Sequence, residues 1–299
     1  MSRVTVLYPG RPTHGGARAI GCHTSVRRDT PGIQTGQRAN RYSNGQVASD
    51  TVIIRAVVVP HPPLLVPELV GGATAPTEAV RVASVTAARR LAEVAGVWVA
   101  VAADPAGPLV VHSNARGSFA GYGVDVPISL ASDTISLTSD SAVDRALPLP
   151  ALVAGWLRAE AGAGRVEVHL VGPDSSAADC ERFGADLAMS LAGETPVGLL
   201  VLGDGANRHT DRAPARPDDR AGDFDEQARV ALAAADPAGL LALDADLATE
   251  LGAMGRAAWQ VLAGVALAVG GPWTGELLYS DAPFGVAYHV AVWEPPVLG

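Results

Sequence analysis

Hydrophobic and polar positions along the chain change character near residue 51. From there, short runs rich in β-branched residues alternate with longer stretches in which apolar residues recur every three or four positions. "TVIIRAVVV" (51–59), halted by Pro60, predicts a buried strand. "TEAVRVASVTAARRLAEVAG" (77–96) predicts a helix with Thr77 as its cap, Glu78 in its first turn and Gly96 at its end. "VWVAVAA" (97–103) and "PLVVHS" (108–113) read as further strands, followed by a Gly-rich loop (114–123) and a candidate strand in "VDVPISL" (124–130). A helix near 150–161, a strand "RVEVHLV" (165–171), a helix near 175–192 and a strand "VGLLVLGD" (197–204) continue the alternation. Beyond a polar loop (205–222) the pattern is mostly helical from Asp223 to Ala268, and "TGELLYS" and "GVAYHVAVW", separated by "DAPFG", predict a closing hairpin. Strands this uniformly apolar are buried on both faces. The expected fold is therefore α/β, a mostly parallel central sheet with helices on both faces and a C-terminal β-hairpin. Functional groups then belong at the carboxyl edge of the parallel strands.

Residues 1–50 lack this periodicity. Seven arginines (Arg3, Arg11, Arg18, Arg27, Arg28, Arg38, Arg41) stand against Asp29 and Asp50 among scattered Gly, Thr, Ser and Gln. A segment with so little apolar surface cannot offset its ordering entropy, so it is expected to be a disordered basic extension, apart from a short candidate strand at Val4 to Tyr8. A misassigned start, with the domain beginning near Thr51 and running to residue 299, accounts for it more simply than a nucleic-acid-binding arm. Composition narrows the function classes. The chain is 48% hydrophobic but only 5% aromatic, with a net charge of −9 and Arg as its sole strong cation, which disfavours nucleic-acid binding. Cys22 and Cys180 form no zinc pattern, and no apolar run is long enough for a membrane span or a signal peptide. A cytoplasmic protein is expected.

The residue that invites chemistry is His61 in "VVVPHPPLLVPEL" (57–69). It directly follows the first core strand, and the flanking prolines fix the loop's shape. Such a ring serves either as a metal ligand held at a set angle or as a hydrogen-bonding cap of the loop. Together with "GSFAGYG" (117–123), "LVLGDGANRHTDRAP" (200–214), "FDE" (224–226) and "ELLYSDAPFGVAYHVAVW" (276–293), this stretch resembles the class III extradiol ring-cleavage dioxygenase family, which includes the Memo-type proteins. The resemblance runs from about Ile53 to Trp293 and implies one Fe(II), with Zn as the alternative metal, held by two histidines and a glutamate beside a catalytic histidine. A catecholic diol would chelate the metal and undergo ring cleavage, a histidine taking its proton near neutral pH.

Carried over by position, His61 matches the first ligand. His112 stands two residues before the second ligand's place, which Asn114 occupies, and Glu250 is the nearest acid for the third, although Gly255 aligns with it when Trp259 is matched. The ungapped catalytic position is Asn207; His209, two residues on, is the substitute, with Asp204 either orienting it or capping its own loop. His169 and His289 lie in strands, where they are expected to face solvent or satisfy neighbours. No dinucleotide fingerprint, P-loop, GxSxG or HExxH is present. The readings that stand are an iron-dependent oxygenase with a small aromatic substrate, a catalytically degenerate binding or scaffold protein with an incomplete metal site, and metal-assisted hydrolysis by the same histidines. A homo-oligomer or a complex with a second kind of chain is the partner class left open; nucleic acid and membrane are not expected.

Overall fold

The computed structural model describes residues 53–71, 75–132, 144, 146–191, 193 and 195–296. The basic extension, its candidate strand at Val4 to Tyr8 and Cys22 lie outside them. The chain divides into Met1–Gln46 and Val47–Gly299, and the second unit carries all the architecture that follows.

In chain order its elements are β1 (Ile53–Val59), α1 (Ala75–Val94), β2 (Val97–Ala103), β3 (Leu109–Val111), β4 (Arg116–Ser118), β5 (Pro127–Ser129), α2 (Leu149–Ala161), β6 (Arg165–Val171), α3 (Ala177–Ser190), β7 (Val197–Leu202), α4 (Arg220–Ala234), α5 (Pro237–Leu241), α6 (Ala245–Leu251), α7 (Arg256–Val269), β8 (Thr274–Asp281) and β9 (Tyr288–Glu294). Seven strands form one sheet in the order β3-β6-β2-β7-β1-β9-β8, and β4 pairs with β5 separately. The β6, β2, β7 and β1 strands run parallel, β3 and β9 run antiparallel to their neighbours, and β8–β9 is the C-terminal hairpin. This is the mostly parallel α/β sheet that the apolar runs predict. The first helix differs in detail: it begins at Ala75, two residues before Thr77, which is buried within its first turn instead of capping it.

Both faces of the sheet are covered. Val57 and Val59 of β1 join a core with α1 and α2, whereas Ala56 and Val58 join a second core with α3, α4 and α7. Alternation thus sends successive side chains into two dry layers, which is why the strand reads as one continuous apolar run. Arg256, at the start of α7 and 1% exposed, donates to the carbonyls of Pro173 (2.6 Å) and Ser175 and to Gln260 Oε1 (3.0 Å). It locks α7 against the loop that leaves β6.

Connections decide where a crevice forms. The segment after β1 leads to α1 on one face, whereas the segment after the adjacent β7 leads to α4 on the other. Neighbouring strands whose continuations part in this way leave an opening at their carboxyl ends. His61 follows β1 and Asp204 follows β7, so these two residues meet at that opening.

Candidate functional site

Loop 203–209 is held to its surroundings almost residue by residue. The amide of Gly203 donates to Val59 O (3.0 Å), Gly205 N to Ala287 O (2.8 Å), Asn207 N to Leu251 O (3.0 Å) and His209 N to Gly285 O (3.1 Å). In return Ala287 N donates to Ala206 O (3.0 Å) and Gly255 N to Asp204 O (2.7 Å). Two clusters result, one on each side of this loop.

The first contains His61 and Asp204. The amide of His61 donates to Asp204 Oδ1 at 2.8 Å, and the ring Nδ1 lies 3.9 Å from the same oxygen, beyond hydrogen-bonding distance. His61 is 6% exposed and its Nδ1 has no hydrogen-bond partner among the described residues. Tyr288 is close by, its phenol pushed upward by burial and then by the Asp204 charge. Asp204 is therefore a cap for the proline loop, not the group that orients His209.

The second cluster is centred on Asp225 of α4. Residues 221, 224, 225, 228, 231 and 232 are the buried positions of this helix, so a carboxylate stands on its apolar stripe, 5% exposed. Such a group must be paired or protonated. Its Oδ2 is 2.5 Å from His209 Nε2, both oxygens accept from Ala206 N at 3.1 Å, and its Oδ1 lies 3.6 Å from His289 Nε2. Burial pushes the carboxyl upward, but His209, His289 and the Ala206 amide outweigh it and hold the group below its ordinary value. Asp225 is accordingly ionised at neutral pH and can only accept, so Nε2 of His209 carries the hydrogen that meets it and Nδ1 is the ring nitrogen turned away from the carboxylate.

His289, 2% exposed on β9, packs edge-on to Trp259 with ring centroids 5.8 Å apart. Its Nδ1 is 2.9 Å from Ser280 Oγ on the neighbouring strand β8, and its Nε2 has no partner within hydrogen-bonding distance among the described residues. A cavity of about 250 Å³ opens here, lined by His209, Asp225, Ser280, Asp281, Ala282 and His289 among others. Larger cavities of about 340 and 520 Å³ lie beyond β6 and β2, but among the described residues no imidazole lines either one.

Glycine makes the cluster fit. A Cβ on Gly205 would stand 2.3 Å from Asp225 Oδ1 and 2.8 Å from Ala287 Cβ, so only a bare backbone lets the loop run past the carboxylate. Gly255 is equally constrained, since a Cβ there would stand 2.3 Å from the Trp259 ring.

The residues expected around iron do not meet. The β3–β6 register sets His112 beside Glu167, and the His112 ring, with 73% of its side chain exposed, makes a 2.9 Å contact to Glu167 Oε2. His112 therefore belongs to the β3 edge, four strand steps from β1 in the sheet order. At ~4.8 Å per step this is roughly 19 Å, against metal–ligand bonds of about 2 Å. Asn114 lies in an exposed turn. Glu250, at the end of α6 and 58% exposed, pairs with Arg220 Nη1 at 2.8 Å, in a network where hydrogen bonds from Arg220 also hold Asp218 down to about 2. Asn207 packs its side chain towards Gly252. Among the described residues no group of three or more His, Cys, Asp or Glu side chains is arranged to hold a metal ion. The two imidazoles at Asp225 approach different oxygens of the carboxylate, the geometry of proton sharing. The donor set thus does not fit the two-histidine, one-carboxylate iron cage.

Sequence reasoning misses Asp225, His289 and Ser280 as members of a site. An acid on the apolar stripe of "FDEQARVAL" is the available signal, because a charge there demands a buried partner.

No protein-family model matches the chain, and no curated protein matches it. Among solved structures it is similar to an uncharacterized protein from Escherichia coli K12, at 14% identity and a TM-score of 0.40, over 81% of this chain and 99% of that one. Among the described residues no helix is long and apolar enough to cross a membrane.

Proposed function

We propose that this protein has the architecture of an extradiol-dioxygenase-like protein without its iron chemistry, and that it binds a small polar molecule beside α4 and the C-terminal hairpin. Its His209–Asp225 pair exchanges a proton with that molecule. The carrying observation is the buried, ionised carboxylate of Asp225 held 2.5 Å from His209 Nε2 at the wall of an open cavity. A carboxylate so placed fixes the tautomer and orientation of the imidazole and stabilises the cation formed when Nδ1 takes a proton. The separation of His61, His112 and Glu250 supports the same reading, since ring cleavage of a diol needs them around one ion.

The test is anaerobic incubation with equimolar Fe(II), desalting and elemental analysis, followed by oxygen-electrode measurement with catechol and by ring-proton NMR during titration with acetate, imidazole and catechol. The expected result is no retained iron, no catechol-dependent oxygen uptake, and ligand-induced shifts at His209 and His289 but not at His112. Stoichiometric iron with oxygen uptake overturns the proposal.

A further inference from the structure

We infer that Ser280, His289 and Asp225 form a nucleophilic triad for acyl transfer, and that the cavity beside them takes a small carboxylic ester. The inference rests on the pocket assigned under the proposed function and names its substrate class and its nucleophile. Three observations carry it.

The first is the line of contacts. Ser280 Oγ lies 2.9 Å from His289 Nδ1, and the other nitrogen of the same ring, Nε2, lies 3.6 Å from Asp225 Oδ1. Hydroxyl, imidazole and carboxylate stand in the order that general-base activation of a serine requires, and the pattern is recognised by geometry and roles, not by sequence position. Here the two ring nitrogens exchange the places they hold in the familiar serine proteases.

The second is the tautomer. His289 Nε2 is buried, has no hydrogen-bond partner among the described residues and faces an ionised carboxylate. A carboxylate only accepts, so the ring proton belongs on Nε2 and the lone pair belongs on Nδ1, facing Ser280. The Ser280 hydroxyl then donates to Nδ1, the orientation in which that nitrogen can take the hydroxyl proton. The 3.6 Å separation is of the kind that tightens when a cation develops on the ring.

The third is access. Ser280 and His289 are cross-strand neighbours on β8 and β9, so their side chains share one face of the sheet, and both line the open cavity. Ser280 is on an edge strand, partly exposed, while the histidine behind it is buried. The volume of about 250 Å³ limits the acyl group to a few carbons, and the lining carries Asp281 together with the Glu226–Arg229 ion pair, joined at 2.6 Å.

The reaction balances with water as the sole co-reactant. Ser280 Oγ bonds to the acyl carbon as its proton passes to His289 Nδ1. The bond from that carbon to the alkoxy oxygen then breaks, and the leaving alcohol takes the proton from Nδ1. Water next attacks the acyl-serine while giving a proton to Nδ1; the acid departs and Ser280 recovers its hydrogen.

The full-length protein should be incubated with a fluorophosphonate probe and digested, the labelled peptide sequenced by mass spectrometry, and p-nitrophenyl acetate hydrolysis followed in parallel. The expected adduct is on Ser280. Ser280→Ala, with an unchanged melting curve, is expected to lose the adduct and at least about 100-fold of the hydrolysis rate, and His289→Gln to lose both while Ser280 remains present. An unlabelled Ser280 in the wild-type protein, or a Ser280→Ala protein that hydrolyses the ester at the wild-type rate, overturns the inference. Stoichiometric iron with catechol-dependent oxygen uptake would defeat the proposed function without removing a Ser280 adduct, and an iron-free protein with no adduct would defeat the triad alone.

Discussion

His61 and His209 follow adjacent strands at one sheet edge, yet their surroundings differ in kind. His61 is framed by prolines, and Asp204 holds its backbone amide while the ring nitrogen stays 3.9 Å away. His209 lies in a loop of mixed charge, and a buried carboxylate on a helix holds its ring at 2.5 Å. The loop around His61 is framed by prolines and its ring nitrogen Nδ1 stands beyond hydrogen-bonding distance of Asp204; the loop around His209 is pinned by backbone bonds and its ring has a proton acceptor behind it. Loop stiffness and catalytic readiness are thus separable. Prolines supply the first, and a carboxylate that has lost its water supplies the second.

The largest test of this contrast is Asp225→Ala. Removing the carboxylate leaves His209, His289 and the Ala206 amide without their shared acceptor, and stability measured by urea unfolding should fall by about 3–5 kcal/mol. Acid sharpens the result. The folded Asp225 is held below its ordinary value, so the unfolded chain takes up the proton first as pH falls. The stability it contributes is therefore complete above about pH 4 and drains away below that, through the lower folded value. The gap between wild-type and Asp225→Ala unfolding curves should accordingly narrow as pH falls below about 4. Asp204→Ala removes a charged acceptor from the His61 amide and should cost about 1.5–3 kcal/mol by the same measurement, with no loss of ligand-induced shifts at His209. Gly205→Ala inserts a methyl group 2.3 Å from Asp225 Oδ1 and should cost about 1–3 kcal/mol while displacing the His209 ring resonances. His112→Ala and Glu250→Ala should each change stability by less than about 0.5 kcal/mol and leave the His209 spectrum intact, because their partners are surface groups.

The fold was legible because its information is local. "VWVAVAA" and "VGLLVLGD" can be buried on both faces only in a sheet covered on both sides, and "DAPFG" between two apolar runs reads as a hairpin without any tertiary knowledge. The site was legible in part. His61 stands out because prolines surround it, and His209 because it follows a core strand closely. Their partners do not stand out, since pairing across the sheet is set by strand order: β7 inserts between β1 and β2 although the whole stretch from β3 to α3 precedes it in the chain. That insertion brings Asp204 to His61 and leaves His209 to Asp225. His289 is hidden for another reason. In "AYHVAVW" every neighbour is apolar or aromatic, so an imidazole looks like a filler until the helix that faces it is known to carry an acid. His112 misleads in the opposite direction, because a three-residue edge strand running antiparallel turns its end away from the edge where the other strands finish.

The close fit of Gly255 against Trp259 also limits what descendants of this chain can become. An acidic side chain at the start of α7 would set its Cβ 2.3 Å from the Trp259 indole, the ring that packs against His289, so a donor at 255 requires that ring to move. A smaller residue at 259 would have to come first, and it would loosen the ring behind Ser280 before any benefit at 255 could appear. Position 255 and the support of His289 are therefore coupled through one indole ring.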